Sequence, residues 1–150
     1  MSKQQLQEEL KQSMLARDEL KTSVLRMLIS AIGYFEIQKG GAGYIATEDD
    51  ILFVTEKQAK QRRESIEQFK MAGRHDLVDK ETKEFEILQK YLPSQMPNEE
   101  IKRLVQETIL QTGAKTITDM GKVMAVLIHK TKGKADGSLV SKIVKEELSG

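Results

Sequence analysis

A chain of 150 residues without cysteine excludes disulfides, thiolate zinc sites and thiol nucleophiles together, and leaves only His75 and His129 for imidazole chemistry. Its 24 basic residues stand against 23 acidic ones, a formal charge of +1, so no global field draws the protein onto nucleic acid and any such binding must be local. With 39% hydrophobic, 31% charged and 5% aromatic residues, the chain should fold around a core of Leu, Ile, Val and Met.

Apolar residues recur with helical rather than strand period, which predicts seven helices and an all-α fold. The first covers about Lys3 to Ala16; Asp18 can cap the second, whose inner face carries Leu20, Val24, Met27, Leu28, Ala31, Ile32 and Phe35. Gly40-Gly41-Ala42-Gly43 ends it, and without a preceding strand or a Gly-Lys-Ser/Thr ending this is a connector rather than a phosphate loop. Thr47 and Asp50 signal the start of a third helix, about Glu48 to Ala72, with Gly73 as its stop. A fourth, about Arg74 to Leu92, carries Leu77, Phe85, Leu88 and Leu92 on one stripe, and the break Leu92-Pro93-Ser94-Gln95-Met96-Pro97 marks a domain boundary. Three shorter helices follow, about Asn98–Gln111, Asp119–Lys130 and Gly137–Leu148, each too short to stand alone. The expected architecture is an N-terminal bundle of about four helices (1–92) and a small C-terminal three-helix domain (98–150). The N-terminus lacks the apolar stretch of a signal peptide and no segment approaches the roughly 18 apolar residues of a membrane span, so a cytoplasmic protein without membrane association is expected.

Two stretches carry a family resemblance. Lys60-Gln61-Arg62-Arg63-Glu64-Ser65-Ile66-Glu67-Gln68-Phe69, with Ala72-Gly73-Arg74 and Tyr91-Leu92-Pro93, resembles the N-terminal region of the free-standing GatB/YqeY family. Asp119-Met120-Gly121-Lys122-Val123-Met124, with Gly133-Lys134-Ala135-Asp136-Gly137 and Leu139-Val140, resembles the small domain shared with the tail of the tRNA-dependent amidotransferase B subunit. Pro97-Asn98 departs from the pattern, in which a Ser or Thr cap is usual. The resemblance implies two helical subdomains and a C-terminal part that contacts tRNA. The carbon–nitrogen ligase label with glutamine as donor comes to such a chain by homology only, because the domain that performs that chemistry is absent.

Three constellations bear on function. Arg62 shares a helix face with Ile51, Thr55, Ala59, Ile66 and Phe69, and a hairpin about Gly73 brings it near Glu81 or Glu84. A register-fixing ion pair is the simpler reading, a binding or catalytic centre the sharper one. Glu56, Lys60, Arg63, Glu67 and Lys70 form a stripe of alternating sign that reads as a solvated face. Between positions 119 and 145, Lys122, Lys130, Lys132, Lys134, Lys142 and Lys145 oppose only Asp119 and Asp136, a balance of 6 − 2 = +4. Gly133 and Gly137 flank Lys134-Ala135-Asp136 just before a helix, where free amides favour an anion, or where the glycines merely turn the chain and Asp136 merely caps.

Neither histidine has a partner at motif spacing, and Met120 and Met124 suit core packing, so no catalytic residue, metal or cofactor is expected. The leading expectation is a non-catalytic accessory protein that binds tRNA or another structured RNA through Lys122, Lys130, Lys132 and Lys134, with Gly133 and Gly137 allowing close approach. A protein-interaction module with an apolar groove between the subdomains is the alternative, and an amidotransferase-type enzyme a third.

Overall fold

The computed structural model describes Met1–Ser149 and is all-helical, with no strand among the described residues. Seven α-helices follow in order: α1 (Lys3–Leu15), α2 (Glu19–Gly40), α3 (Glu48–Met71), α4 (His75–Gln89), α5 (Asn98–Thr112), α6 (Met120–Thr131) and α7 (Gly137–Ser149), with a 3-10 turn at Ile117–Asp119 before α6. They form two compact units, Met1–Leu92 and the chain from Pro93 onward.

Local chemistry sets most boundaries. Ser2 and Gln5 close a capping box on α1, the Asp18 side chain accepts the Lys21 N–H at the start of α2, and Thr47 with Asp50 closes a second box on α3. Asp18 also returns its own N–H to the Ser13 carbonyl, and the hydroxyls of Ser13 and Thr22 meet at 2.9 Å inside the α1–α2 corner. Gly73 makes the α3–α4 hairpin possible: its φ of +69° is left-handed, and the Arg74 N–H reaches back to the Phe69 carbonyl. Helix α4 ends three residues short of the sequence expectation, because Lys90, Tyr91 and Leu92 already form the turn that Pro93 requires of its predecessors. Helix α5 follows Pro97 with no side-chain cap; Glu99 and Glu100 in its first turn complement the dipole instead.

In the first unit α1 packs on α2 and α3 on α4, with α2 against both α3 and α4. Leu6, Val24, Leu25, Leu28, Ile32, Ile51, Val54, Ala59 and Leu88 fill the space between them. The second unit closes α5, α6 and α7 around Ile101, Val105, Val123, Leu127, Val140, Ile143 and Val144. Buried threonines do not leave hydroxyls unsatisfied: Thr55, Thr108 and Thr131 each donate to the carbonyl four residues back.

The connector after α2 is tied down from both sides. Buried Glu36 accepts the Ala46 N–H at 2.8 Å and Lys3 Nζ at 2.5 Å, and Asp50 accepts Lys39 Nζ and the Tyr44 hydroxyl, each at 2.6 Å. The Ala46 amide and then Lys3 hold the Glu36 carboxyl below its ordinary range, while Lys39 and then Tyr44 hold Asp50 well below its own. Lys39 is raised in turn, chiefly by its bond to Asp50.

Candidate functional site

Helix α3 presents Arg62 on its inner face, 6% exposed, where three helices meet. Arg62 Nη1 donates to Glu81 Oε2 at 3.1 Å and to Glu84 Oε2, and Nη2 lies 3.4 Å from the Met27 thioether on α2. Glu84 is 4% exposed and Glu81 is half-buried, so one carboxylate depends on the guanidinium for all its solvation while the other keeps water. Arg62 Nε is buried with no acceptor. Among the described residues no group of three His, Cys, Asp or Glu could hold a metal ion. The arrangement joins α3 to α4 through the two carboxylates and to α2 through the Met27 thioether.

The charge stripe on α3 lies outward. Lys60, Arg63, Glu67 and Lys70 are exposed, Glu67 pairs with Lys70 at 3.3 Å, and the Arg63 guanidinium stands 5.9 Å from the Phe85 ring centre. Burial and then the Glu9 carboxylate, which accepts the Tyr91 hydroxyl at 2.5 Å, hold Tyr91 well above the usual phenol range.

The lysines of the second unit divide into two places. Lys122 lies in the first turn of α6 beside Asp119, whose carboxyl is lowered by the N–H groups of Lys115 and Thr116 before any effect of Lys122. Lys130 ends the same helix eight residues later, about 12 Å along the axis at 1.5 Å per residue. Lys130, Lys132 and Lys134 are all exposed around the α6–α7 turn, with Lys130 Nζ 3.4 Å from Gln111 Oε1.

That turn is built rather than loose. Gly133, φ +76°, supplies the left-handed step, and Lys134 and Ala135 return their N–H groups to the Thr131 carbonyl. Gln95 Nε2 donates to the Gly133 carbonyl at 3.2 Å, and the Met96 N–H to the Lys134 carbonyl at 2.8 Å. Gly133 is therefore buried and offers the turn rather than an open face, whereas Gly137 is exposed at the start of α7. Asp136 Oδ1 accepts the Ser138 N–H at 3.0 Å, so a carboxylate already sits at this helix start and an arriving phosphate meets lysine side chains before it meets amides. Lys142 and Lys145 are exposed farther along α7.

Sequence reasoning missed the ties from Gln95 and Met96, which no local spacing announces, and the separation of Lys122, which counting turns along α6 could have supplied.

Relatives of this chain carry the name "Altered inheritance of mitochondria protein 41, mitochondrial". The Saccharomyces cerevisiae protein is 33% identical over 119 residues, covering 75% of this chain and 63% of its own length. Those of Lachancea thermotolerans and Clavispora lusitaniae are 37% and 38% identical, over 61% and 59% of this chain and 48% and 50% of their own lengths. The chain thus spans less than two thirds of the curated relatives it matches. Their names correct the cytoplasmic expectation. It rested on the lack of a signal-like stretch and of a membrane-spanning segment, and although no described helix is long and apolar enough to cross a membrane, neither observation decides a compartment. The family model for Yqey-like protein matches residues 3–148, nearly the whole of both helical units, and the chain belongs to that family.

Proposed function

We propose that the second unit binds tRNA or another structured RNA, without catalysis of its own, through the lysine turn between α6 and α7. The observation that carries this reading is the presentation of Lys130, Lys132 and Lys134 on a turn whose backbone is fixed by Gly133, Gln95 and Met96. A turn whose backbone is already fixed needs no further backbone ordering to meet phosphates, and backbone charge and shape dominate where side chains cannot read the deep groove of duplex RNA. Lys122, at the far end of α6, would touch a more distant phosphate. Gly137 would permit close approach at the start of α7, beside the Asp136 carboxylate. The amidotransferase relationship enters only as likeness to a tRNA-contacting tail. The yeast relatives' names make mitochondrial tRNA the first RNA to try.

The test replaces Lys130, Lys132 and Lys134 together by Gln in the full chain and titrates a tRNA transcript across salt. Affinity should fall, and the plot of log affinity against log salt should flatten by roughly 0.7 to 0.9 for each phosphate that the variant no longer neutralises, with helicity unchanged. Absence of binding by the parent at low salt removes the reading, and an unchanged slope in the folded variant removes this surface from it.

A further inference from the structure

The Arg62 guanidinium is served unevenly. Both carboxylates, Glu81 and Glu84, accept from Nη1, whereas Nε is buried without an acceptor and Nη2 donates to the Met27 sulfur at 3.4 Å. A thioether is a weak acceptor, so one side of a buried cation has sulfur where an oxygen would solvate it better.

Met27 itself is open to water. It is 48% exposed and borders, with Met14, Thr22, Ser23 and Arg26, a hollow of about 540 Å³ at the α1–α2 corner. Among the described methionines it alone combines this exposure with contact to a buried cation. Met14 is 50% exposed, but its sulfur lies 3.8 Å from Nη2 of Arg26, which is itself exposed; Met71 stands 89% exposed at the end of α3. Met96, Met120 and Met124 are partly buried in the second unit.

We propose that Met27 is an oxidation site, at which a hydroperoxide turns a weak acceptor into a strong one and so stabilises the junction of α2, α3 and α4. Besides the lone pair facing Nη2, the sulfur has a second one to attack the peroxide. An S–O bond forms as the O–O bond breaks, and sulfur gives up two electrons. The proton of the transferred oxygen passes to the departing one, which leaves as an alcohol, or as water from hydrogen peroxide. Methionine has three rotatable bonds and the hollow gives this one room, so the new oxygen can swing onto Nη2. A sulfoxide oxygen on a desolvated guanidinium makes a charge-assisted bond, well above a thioether contact in strength. Methionine oxidation ordinarily disrupts a core by making an apolar side chain polar; half-exposed Met27 has little burial to lose. The site lies in the first unit and is independent of the RNA reading of the second.

The experiment treats the full chain, carrying Met14→Leu and Met71→Leu, with hydrogen peroxide. Peptide mass mapping follows each sulfoxide, and tyrosine fluorescence follows melting of the first unit, which holds all three tyrosines. Met27 should be converted at the peroxide dose that oxidises Met71 in the parent chain, and the melting temperature should rise by about 4 °C or more, the effect of one charge-assisted bond in a unit of this size. Met27→Gln, which carries an oxygen at the corresponding place, should show the rise without peroxide. Met27→Leu should show none with it, which also removes any effect of Met1. In Arg62→Met with Glu84→Met, where the sulfoxide has no donor to meet, peroxide should lower the melting temperature instead. Met27 left intact when Met71 is fully oxidised overturns the proposal, as does a sulfoxide that leaves the melting temperature unchanged or lower. A rise that persists in Met27→Leu, or without Arg62, assigns the effect elsewhere and overturns it too.

Discussion

Replacing Arg62 by Ala strands Glu84. Both residues are more than nine-tenths buried, so the carboxylate would lose its counter-charge and its hydrogen-bond donor where water cannot replace them. Breaking a buried pair from one side costs about 3–5 kcal/mol, and Glu81, which keeps partial access to water, adds little. In a unit of this size, 1 kcal/mol corresponds to roughly 4–8 °C, so Arg62→Ala should lower the melting temperature by about 12 °C or more. All three tyrosines, Tyr34, Tyr44 and Tyr91, lie in the first unit and the chain has no tryptophan, so tyrosine fluorescence during urea or thermal unfolding reports that unit alone. The companion variant decides the mechanism. Arg62→Met with Glu84→Met removes both charges and the orphaned Nε, and should recover most of the loss. Loss of less than about 1 kcal/mol in Arg62→Ala, or a double variant no better than the single, would refute the view of Arg62 as the counter-charge of a buried carboxylate.

Other outcomes are equally checkable. Glu36 and Asp50 titrate lower in the folded chain than their ordinary values of 4.5 and 3.8, so their contribution is complete above those values and is lost as pH falls through the depressed ones. Acid unfolding of the first unit should therefore begin below about pH 4 by tyrosine fluorescence, with a flatter acid limb in Glu36→Gln and Asp50→Asn. Arg17→Gly should leave stability unchanged or raise it by up to about 1 kcal/mol in urea unfolding, since the strained backbone relaxes. Gly133→Ala should cost the second unit about 1 kcal/mol or more by circular dichroism, because its left-handed φ penalises any Cβ. Tyr91→Phe should cost about 1 kcal/mol, the worth of one hydrogen bond to a carboxylate that retains some water, measured by the change in urea midpoint.

Much of the helical skeleton is legible because it is local. Thr47 and Asp50 lie within one turn, Asp18 caps its own neighbour, and the inner face carrying Ile51, Thr55, Ala59 and Ile66 is defined by spacing alone. Arg62 lies on that same face, but its carboxylates come from 19 and 22 residues farther on, and which approaches closer depends on the hairpin at Gly73. The Met27 thioether arrives from a third helix, 35 residues away, with no periodic sign. The network of Lys3, Glu36, Ala46, Lys39, Tyr44 and Asp50 is likewise tertiary: a glycine-rich connector reads as loose from composition, yet two carboxylates fasten it. In the second unit, lysine count is a property of composition, whereas the place of each lysine depends on helix phase and on where the turn falls, which sets Lys122 apart from Lys130, Lys132 and Lys134.

The bonds from Gln95 and Met96 bear on how the second unit can be excised. A protease must draw several residues into an extended strand, and here that requires detaching Gln95 from Gly133 and Met96 from Lys134, so the clasp slows cleavage throughout the connector. A gene truncation beginning at Asn98 would discard both donors and leave the carbonyls of Gly133 and Lys134 to find solvent. A fragment beginning at Pro93 carries its own clasp and keeps the lysine turn in its native shape.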